Sequence, residues 1–330
     1  MNDRDKNFDD LHSYLKDIFS GFLPNINTSF LCSTSAVDAK FVAFSGIPEI
    51  NQKLLENSIF EYNDDYRFIH FTSIENLLNI LKSQSFRMYD LNSMEDPQEI
   101  IYAKKIFENQ SQIDKESLSN LKSQYFALSL CKYNKELIDS KLFMWQLYGR
   151  CGKGICIVFK IKNPTKYSNF VIGNIQYKGL EKLKNIVKKH KEYVDNKQTH
   201  LNQLSEFMSF ILSLYKAPIY SIEKEVRLLY FSKKENGIFK NKSRKIFPDI
   251  KNNKNVFYKE VNMLKGSQEK QLSTFEKYKY SKVPKFKIEE IILGYDVKND
   301  LDTWDTIEKL SEVCLGYVPK IRITKLKEFF

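Results

Sequence analysis

Residues 216–231 read KAPIYSIEKEVRLLYF, an aromatic and β-branched run that is typical of a β-strand. Successive side chains of a strand point to opposite faces, so Glu223, Glu225 and Arg227 would all project from one face. The other face would carry the apolar side chains of Val226, Leu228 and Tyr230. The run therefore predicts either a site that stabilises a developing positive charge on a substrate, or a solvated sheet face on which Glu and Arg pair across strands.

The length and composition predict a folded protein without a membrane-spanning segment. The chain has 330 residues, of which 42% are hydrophobic and 14% aromatic, enough for one large core or two modest ones. No run of about 18 apolar residues occurs. Charges interrupt the N-terminal stretch where a signal peptide needs an apolar segment. We therefore expect a cytoplasmic location and no membrane partner.

The cysteines and histidines do not indicate a metal site or a disulfide framework. The 5 cysteines are scattered without a CxxC pair. No two of the 4 histidines have the i, i+4 spacing of a helical metal site. No metal cofactor is predicted, although carboxylates that hold Mg²⁺ are not excluded.

The net charge of +11 is concentrated between Lys233 and Lys285. Aromatic residues alternate there with many lysines, a pattern that is typical of surfaces that contact phosphates and stack on bases. Lys242, Arg244 and Lys245 are the candidate nucleic-acid-binding residues. The alternative is that a biased composition has filled exposed positions with lysine.

The hydrophobic periodicity predicts an α+β fold in which short, mostly antiparallel strands alternate with helices. Strands are predicted at 66–72, 85–90, 125–131, 154–161, 170–177, 216–231, 288–297 and 320–326. Helices are predicted from 73 and at 99–107, 141–148, 180–193, 201–216 and 301–315. We expect an N-terminal extension at 1–60, then a domain at 61–330 with a basic insertion at about 233–285. The glycine-rich GRCGKG turn at 149–154 precedes a strand rather than a helix, so it predicts a tight connection and not a nucleotide loop.

Several short motifs, taken in order, resemble one protein family. They are FIHFTS with an LLNIL helix, MEDPQE, FALSLC, MWQLYGRCGKGICIVF and K-x-x-x-Y-x-x-E-x-E-x-R. In this set the chain resembles the bacterial domain of unknown function numbered 2971, over about residues 66–325. That family is remotely similar to the ADP-ribosyltransferase fold, in which a split antiparallel sheet with surrounding helices clamps NAD.

The resemblance implies a set of cofactor-binding residues. His70 would bond a ribose hydroxyl of NAD, with Thr72 on the same face, and Ser129 would be the serine of the second strand motif. Trp145 or Tyr148 would stack on the nicotinamide. For each of these residues a structural role is the alternative: a histidine hydrogen-bonded within the sheet, a structural serine, and aromatic rings packed in the core.

The resemblance also implies the catalytic residues. Glu225 would stabilise the positive charge that builds on the ribose as the nicotinamide bond breaks, and Glu223 would orient or deprotonate the acceptor. Arg227 would contribute to cofactor binding. Known transferases of this fold pair a first-strand His with a Tyr, or a first-strand Arg with a Ser-Thr-Ser strand. This chain combines His70 with Ser129-Leu130-Cys131 and so matches neither pattern.

The sequence therefore predicts an enzyme that uses NAD as substrate and passes ADP-ribose to a macromolecule, with nucleic acid as a candidate, or to water. A role in phage defence or as a toxin, with a neutralising or regulatory partner protein, is implied by analogy. The alternative is a non-catalytic nucleic-acid-binding protein that uses the basic 233–285 segment. A third alternative is a nuclease in which Glu223, Glu225 and Asp96 share Mg²⁺. The enzyme requires His70 and Glu225 to face one cleft.

Overall fold

The structure is a computed structural model that describes residues 13, 16–25, 30–34, 42–46, 50–93, 125–162, 170–197, 210–231, 245–249, 254–266, 284–297 and 301–329. Its strands are β1 (Phe30–Thr34), β2 (Val42–Gly46), β3 (Arg67–Thr72), β4 (Ser85–Asp90), β5 (Tyr125–Lys132), β6 (Ile155–Lys162), β7 (Phe170–Asn174), β8 (Glu225–Phe231), β9 (Lys245–Asp249), β10 (Lys254–Asn262), β11 (Lys285–Leu293) and β12 (Lys320–Ile323). Its α-helices are α1 (Gln52–Leu55), α2 (Ile74–Ser83), α3 (Lys135–Asp139), α4 (Leu142–Leu147), α5 (Leu180–Lys197) and α6 (Leu301–Leu315). Short 3₁₀ helices are Arg150–Gly152, Pro218–Glu223 and Lys325–Phe329.

Ten of the described strands form one sheet, in the order β12-β11-β6-β3-β5-β4-β10-β9, with β8 paired to β5 and β7 paired to β8. The β11–β12 pair is parallel and is connected through α6, which confirms the β-α-β unit predicted at the end of the chain. The other pairs in the sheet are antiparallel. The predicted α+β class with a mostly antiparallel sheet is thus confirmed.

The sheet branches at β5. One edge of this strand pairs with β3 at Cys131 and Lys132 and with β4 at Phe126 and Ala127, so β3 and β4 diverge between these points. Helix α2, which begins after the N-cap Ser73, connects the two diverging strands. The opposite edge of β5 pairs with β8 along its length. Ser129 therefore lies where neither β3 nor β4 pairs with β5.

Two helical layers cover the sheet. The α2–α6 face takes its name from the helices that cover it, and Leu77, Ile307 and Leu228 are buried in one hydrophobic cluster there. The α3–α4 face is covered by those two helices, by α1 and by the segment 210–215. Alternation along β8 sends Val226, Leu228 and Tyr230 to the α2–α6 face, as the sequence predicts, and Leu229 and Phe231 to the α3–α4 face.

Both segments that the sequence separates from the main domain contribute to its core or its sheet. In the described part of residues 1–60, Phe19, Phe22 and Leu54 are buried in one cluster with Leu229 of β8. In the basic segment, β10 pairs with β4. Among the described helices, none is both long and apolar enough to cross a bilayer.

Some predicted elements end differently in the structure. The predicted strand 216–231 is wrong over its first part, since Pro218 begins a 3₁₀ helix and strand pairing starts only at Glu225. The predicted helix 201–216 ends too late, because Tyr215 forms a bridge with Gln176 instead. The predicted helix 99–107 lies outside the described residues. The glycine-rich turn leads into β6, as the sequence predicts, and Gly152 adopts a φ of +85° that other residues rarely adopt.

Candidate active site

The turn before β8 brings two carboxylates together. The 3₁₀ helix Pro218–Glu223 ends at Lys224, whose left-handed φ of 48° turns the chain into β8. Glu223 and Glu225 flank this turn, so the strand spacing expected from the sequence does not apply to Glu223. On the other side, the amide of Lys216 donates to the Gln176 carbonyl at 3.1 Å and so places the lysine beside both acids.

Lys216, Glu223, Glu225 and Arg227 form a network that we call the ionic cluster. The Lys216 Nζ lies 2.6 Å from Glu223 Oε2 and 3.0 Å from Glu225 Oε2. The Arg227 Nε donates to Glu225 Oε1 at 2.7 Å, and its Nη1 donates to the Ser213 carbonyl at 2.7 Å. All four side chains of the cluster are buried. Two cations balance two carboxylates, as a buried group of charges requires.

Glu225 is held as a carboxylate. Burial alone would raise its pKa, but the nearby charges of Arg227 and Lys216, with hydrogen bonds from Ser129 and Arg227, outweigh burial and lower the pKa below its ordinary value. Ser129 is directly opposite Arg227 in the β5–β8 register. The structure therefore brings Ser129, Glu225 and Arg227 together, as the predicted site requires, on the α3–α4 face.

Two tyrosines complete the surroundings of the two carboxylates. The Tyr148 hydroxyl donates to Glu223 Oε1, and Tyr148 is 40% exposed, so it lies between the ionic cluster and solvent. Burial and this hydrogen bond raise the pKa of Tyr148, which keeps the phenol protonated at neutral pH. The backbone amide of Glu225 donates to the Tyr177 hydroxyl at 2.8 Å.

His70 and Thr72 lie on the other face of the sheet. Their partners in β6 are Ile157 and Ile155, residues of the α2–α6 core. The His70 ring lies 6.2 Å from the Phe86 ring. It hydrogen-bonds the Ser129 backbone at the branch of the sheet, and burial lowers the pKa of His70 to about 4. The structure does not bring His70 and Glu225 into one cleft, and it places His70 as the structural alternative describes.

The other predicted site residues are divided between the core and the surface. Trp145 is fully buried, donates its indole N–H to the Ile138 carbonyl at 2.8 Å and packs edge-on against Phe71. This placement agrees with core packing rather than nicotinamide stacking. Lys242 and Arg244 lie outside the described residues. Lys245 lies on β9, with its Nζ 2.5 Å from Glu260 Oε2.

Lys216 and Tyr177 are residues of this site to which sequence reasoning assigned no role, and only Lys216 lies in a motif. Lys216 is the first residue of the K-x-x-x-Y-x-x-E-x-E-x-R motif, so the signal for it was present in the spacing. Its Nζ also lies 4.5 Å from the centroid of the Tyr220 ring, the second residue of the motif. All five residues that define the motif therefore meet in one place. No sequence signal identifies the Ser213 carbonyl, because every residue has a backbone carbonyl.

The comparison with known families points to the same region. Residues 144–228 match the family described as "Protein of unknown function (DUF2971)". The matched segment contains Tyr148 and the whole ionic cluster, and it ends one residue after Arg227. No curated protein and no solved structure matches the chain. Within the described residues, no group of three or more His, Cys, Asp or Glu side chains is placed to hold a metal ion.

Proposed function

We propose that the chain is an ADP-ribosyltransferase-like enzyme that cleaves the nicotinamide–ribose bond of NAD and transfers ADP-ribose to a macromolecule or to water. The observation that supports this most directly is the contact between Ser129 and Glu225, in a cluster that also contains Glu223. These are the serine and the two acids that the family resemblance names. Tyr148, which is partly exposed and bonded to Glu223, separates the cluster from solvent, so a substrate would reach the carboxylates by displacing it.

The chemistry follows from the charges. Cleavage of the nicotinamide–ribose bond builds positive charge on the sugar, and a fixed, ionised carboxylate such as Glu225 stabilises that charge without reorganising. Lys216 and Arg227 hold Glu225 in place and are positioning residues. Displacement of the Tyr148 phenol would free Glu223 Oε1 to accept the proton of an acceptor hydroxyl.

In this proposal His70 and Thr72 do not bind NAD, since they face the opposite side of the sheet. This is a departure from the set of residues that the resemblance implies. The two sets of residues predict different results for a His70 variant. It should lose activity if His70 binds NAD, and it should keep activity if His70 does not.

The test is the release of nicotinamide from NAD by the purified protein, alone and with added RNA, DNA or cell lysate. We expect Glu225→Gln to lower the rate by at least about a hundredfold, since a preorganised charge is lost. Glu223→Gln should abolish transfer to an acceptor. His70→Gln should keep its activity at pH 7, and Glu308→Gln, an acid that bonds Trp304 within α6, is the matched control.

Label from NAD that is retained on one fraction would name the acceptor.

The proposed role in phage defence or as a toxin predicts that the wild type, but not Glu225→Gln, arrests growth when it is expressed, and that a neutralising partner relieves the arrest. No nicotinamide release under any condition, or equal release by Glu225→Gln with thermal unfolding like that of the wild type, would refute the enzyme.

A second candidate function, single-stranded nucleic-acid binding without catalysis, is favoured by one observation. The register of β4, β10 and β9 places Tyr89, Tyr258 and Lys245 on one face of the sheet. Tyr89 is 38% and Phe247 49% exposed. The Arg87 guanidinium lies 4.7 Å from the centre of the Tyr258 ring. Exposed aromatic rings among cations are typical of surfaces on which bases stack.

Fluorescence anisotropy with labelled single-stranded RNA tests this second candidate. Phe247→Ala should weaken binding about tenfold, since stacking contributes roughly 1–3 kcal/mol per base. Ile246→Ala is the matched control, because Ile246 is the adjacent exposed residue of β9 and pairs with Phe257 on the opposite face. Equal affinity of the two variants would remove the argument for this surface.

A further inference from the structure

A cavity of about 420 Å³ opens where β3, β11 and β12 meet α3, away from the ionic cluster. It is lined by Arg67, Tyr133, Lys135, Asp139, Glu289, Glu290, Lys320, Arg322, Ile323 and Lys325. None of these residues belongs to the ionic cluster. The volume lies within the range of roughly 300–1,000 Å³ that is usual for small-molecule sites.

The carboxylates of this cavity are already paired with arginines. The Arg67 Nε lies 2.7 Å from Glu289. Arg322 contacts Asp139 at 2.7 Å and Glu290 at 2.8 Å. Three carboxylates therefore face two arginines, and the lysines of the lining bring the total charge to a positive value.

The lysines leave a formal surplus of two positive charges, from five cations against three carboxylates. Lys320 lies 3.5 Å from Glu290, whereas Lys135 and Lys325 have no ion-pair partner within the part of the chain that the structure describes. These two lysines lie at the start of α3 and of the 3₁₀ helix Lys325–Phe329. A phosphomonoester carries about −1.5 to −2 charges at neutral pH, which matches the surplus.

Asp139 supplies a second, independent indication of a ligand. Its side chain is 6% exposed. Its Oδ1 accepts from Arg322 and from the Lys325 amide, but its Oδ2 has no hydrogen-bond partner among the described residues. A buried acceptor without a donor costs roughly 1–3 kcal/mol. Oδ2 itself exposes almost no surface, so a ligand hydroxyl supplies the missing donor once the Asp139 carboxylate turns towards the cavity.

We infer that this cavity binds a small phosphorylated compound that carries a free hydroxyl group. Lys135 and Lys325, both exposed, hold the phosphate, and a rotation of the Asp139 carboxylate lets Oδ2 accept a hydrogen bond from the hydroxyl. The Arg67 Cζ lies 3.9 Å from the centre of the Tyr133 ring, and both residues line the site. A sugar phosphate and a nucleoside monophosphate share this chemistry. The inference does not depend on the proposed NAD chemistry.

Isothermal titration calorimetry with ribose 5-phosphate, adenosine monophosphate and methyl phosphate tests the site. We expect Lys135→Met and Lys325→Met each to weaken binding of the phosphates at least tenfold, because each removes one charge-assisted contact. Lys153→Met is the matched control, since Lys153 is an exposed lysine 3.8 Å from Asp296 and outside the cavity lining. It should bind like the wild type.

Ligands with and without a free hydroxyl group test the role of Asp139. Ribose 5-phosphate should bind more tightly than methyl phosphate, which has no free hydroxyl, and Asp139→Asn should reduce this difference. Tighter binding of adenosine monophosphate than of ribose 5-phosphate would identify a nucleotide, and the reverse would identify a sugar phosphate. Failure of all three compounds to bind at millimolar concentration, or unchanged affinity in both lysine variants, would overturn the inference. The lysine variants decide the matter even if Asp139→Asn does not fold.

Discussion

His70 and Glu225 are two residues whose charge states are set by their surroundings in opposite ways. Glu225 is buried among cations and stays ionised. His70 is half-buried beside Phe86 and Ile157 on the α2–α6 face, and its lowered pKa keeps it neutral. Local sequence does not reveal this contrast, because it comes from strands that are far apart in the chain.

We expect stability to fall as the pH falls from about 6.5 towards 4 because of His70. Its folded pKa of about 4 lies below the ordinary value of 6.5, so the unfolded chain binds the proton more readily. The contribution is fully present above pH 6.5 and is lost through this window. It amounts to about 2 kcal/mol between pH 7 and pH 5. The contribution of Glu225 to stability is lost at a lower pH, because its pKa is depressed from an ordinary 4.5.

Urea unfolding midpoints at pH 7 and pH 5 measure this effect. His70→Gln keeps a side-chain N–H for the Ser129 backbone but does not titrate, so its free energy of unfolding should change about 2 kcal/mol less than that of the wild type over this interval. An equal loss in both proteins would show that His70 is not the group responsible.

At the scale of elements, β7 shows how an outer strand is protected. One edge of β7 pairs with β8. On the other edge, the Gln52 side chain of α1 donates to the Ile172 carbonyl at 3.0 Å and accepts from the Ile172 amide at 2.8 Å. A side-chain amide thereby takes the place of a neighbouring strand and covers the edge of the sheet.

Gln52→Leu should destabilise the protein by about 2 kcal/mol or more. The variant is close in size but leaves both backbone groups of Ile172 buried and unpaired, and each costs roughly 1–3 kcal/mol. Amide hydrogen exchange at Ile172 should become faster as well. Lys53→Leu, at the adjacent exposed position of α1, is the control and should change stability by less than about 0.5 kcal/mol. Unchanged exchange at Ile172 would contradict the role of Gln52.

At the scale of the whole molecule, the region predicted as an N-terminal extension contributes to the core. Phe22 lies with its ring 5.1 Å from Phe60, edge to face, and 6.3 Å from Tyr215, stacked. Tyr215 immediately precedes Lys216 of the ionic cluster. Packing of the N-terminal residues thus supports the segment on which the candidate site depends.

Phe22→Ala should lower the free energy of unfolding by roughly 3–5 kcal/mol, since it empties a buried position among aromatic rings. Ile219→Ala is the matched control, because Ile219 is 81% exposed, and its effect should be under about 0.5 kcal/mol. Thermal or urea unfolding of both variants measures the difference. A stability of Phe22→Ala close to that of the control would show that the N-terminal region is separate from the domain.

The sequence by itself determined the local features of this protein. Helix α6 has the predicted bounds 301–315, Ser73 caps α2, and β8 alternates between two faces from Glu225 onwards. Each of these depends on side chains within a few turns or strand positions of one another, so periodicity and capping chemistry reveal them. The association of Ser129 with Glu225 was also accessible, through the motifs that the family resemblance supplied.

The tertiary structure alone decided which of these elements meet. Contacts between distant segments set the pairing order of the strands and place His70 and Glu225 on opposite faces of the sheet. They also bury the charged face of β8 and place Lys216 between two acids. The 3₁₀ helix before Glu225 also replaced a predicted strand. Alternation along a strand defines two faces but does not say which one is buried, because that is set by the layers that pack on the sheet.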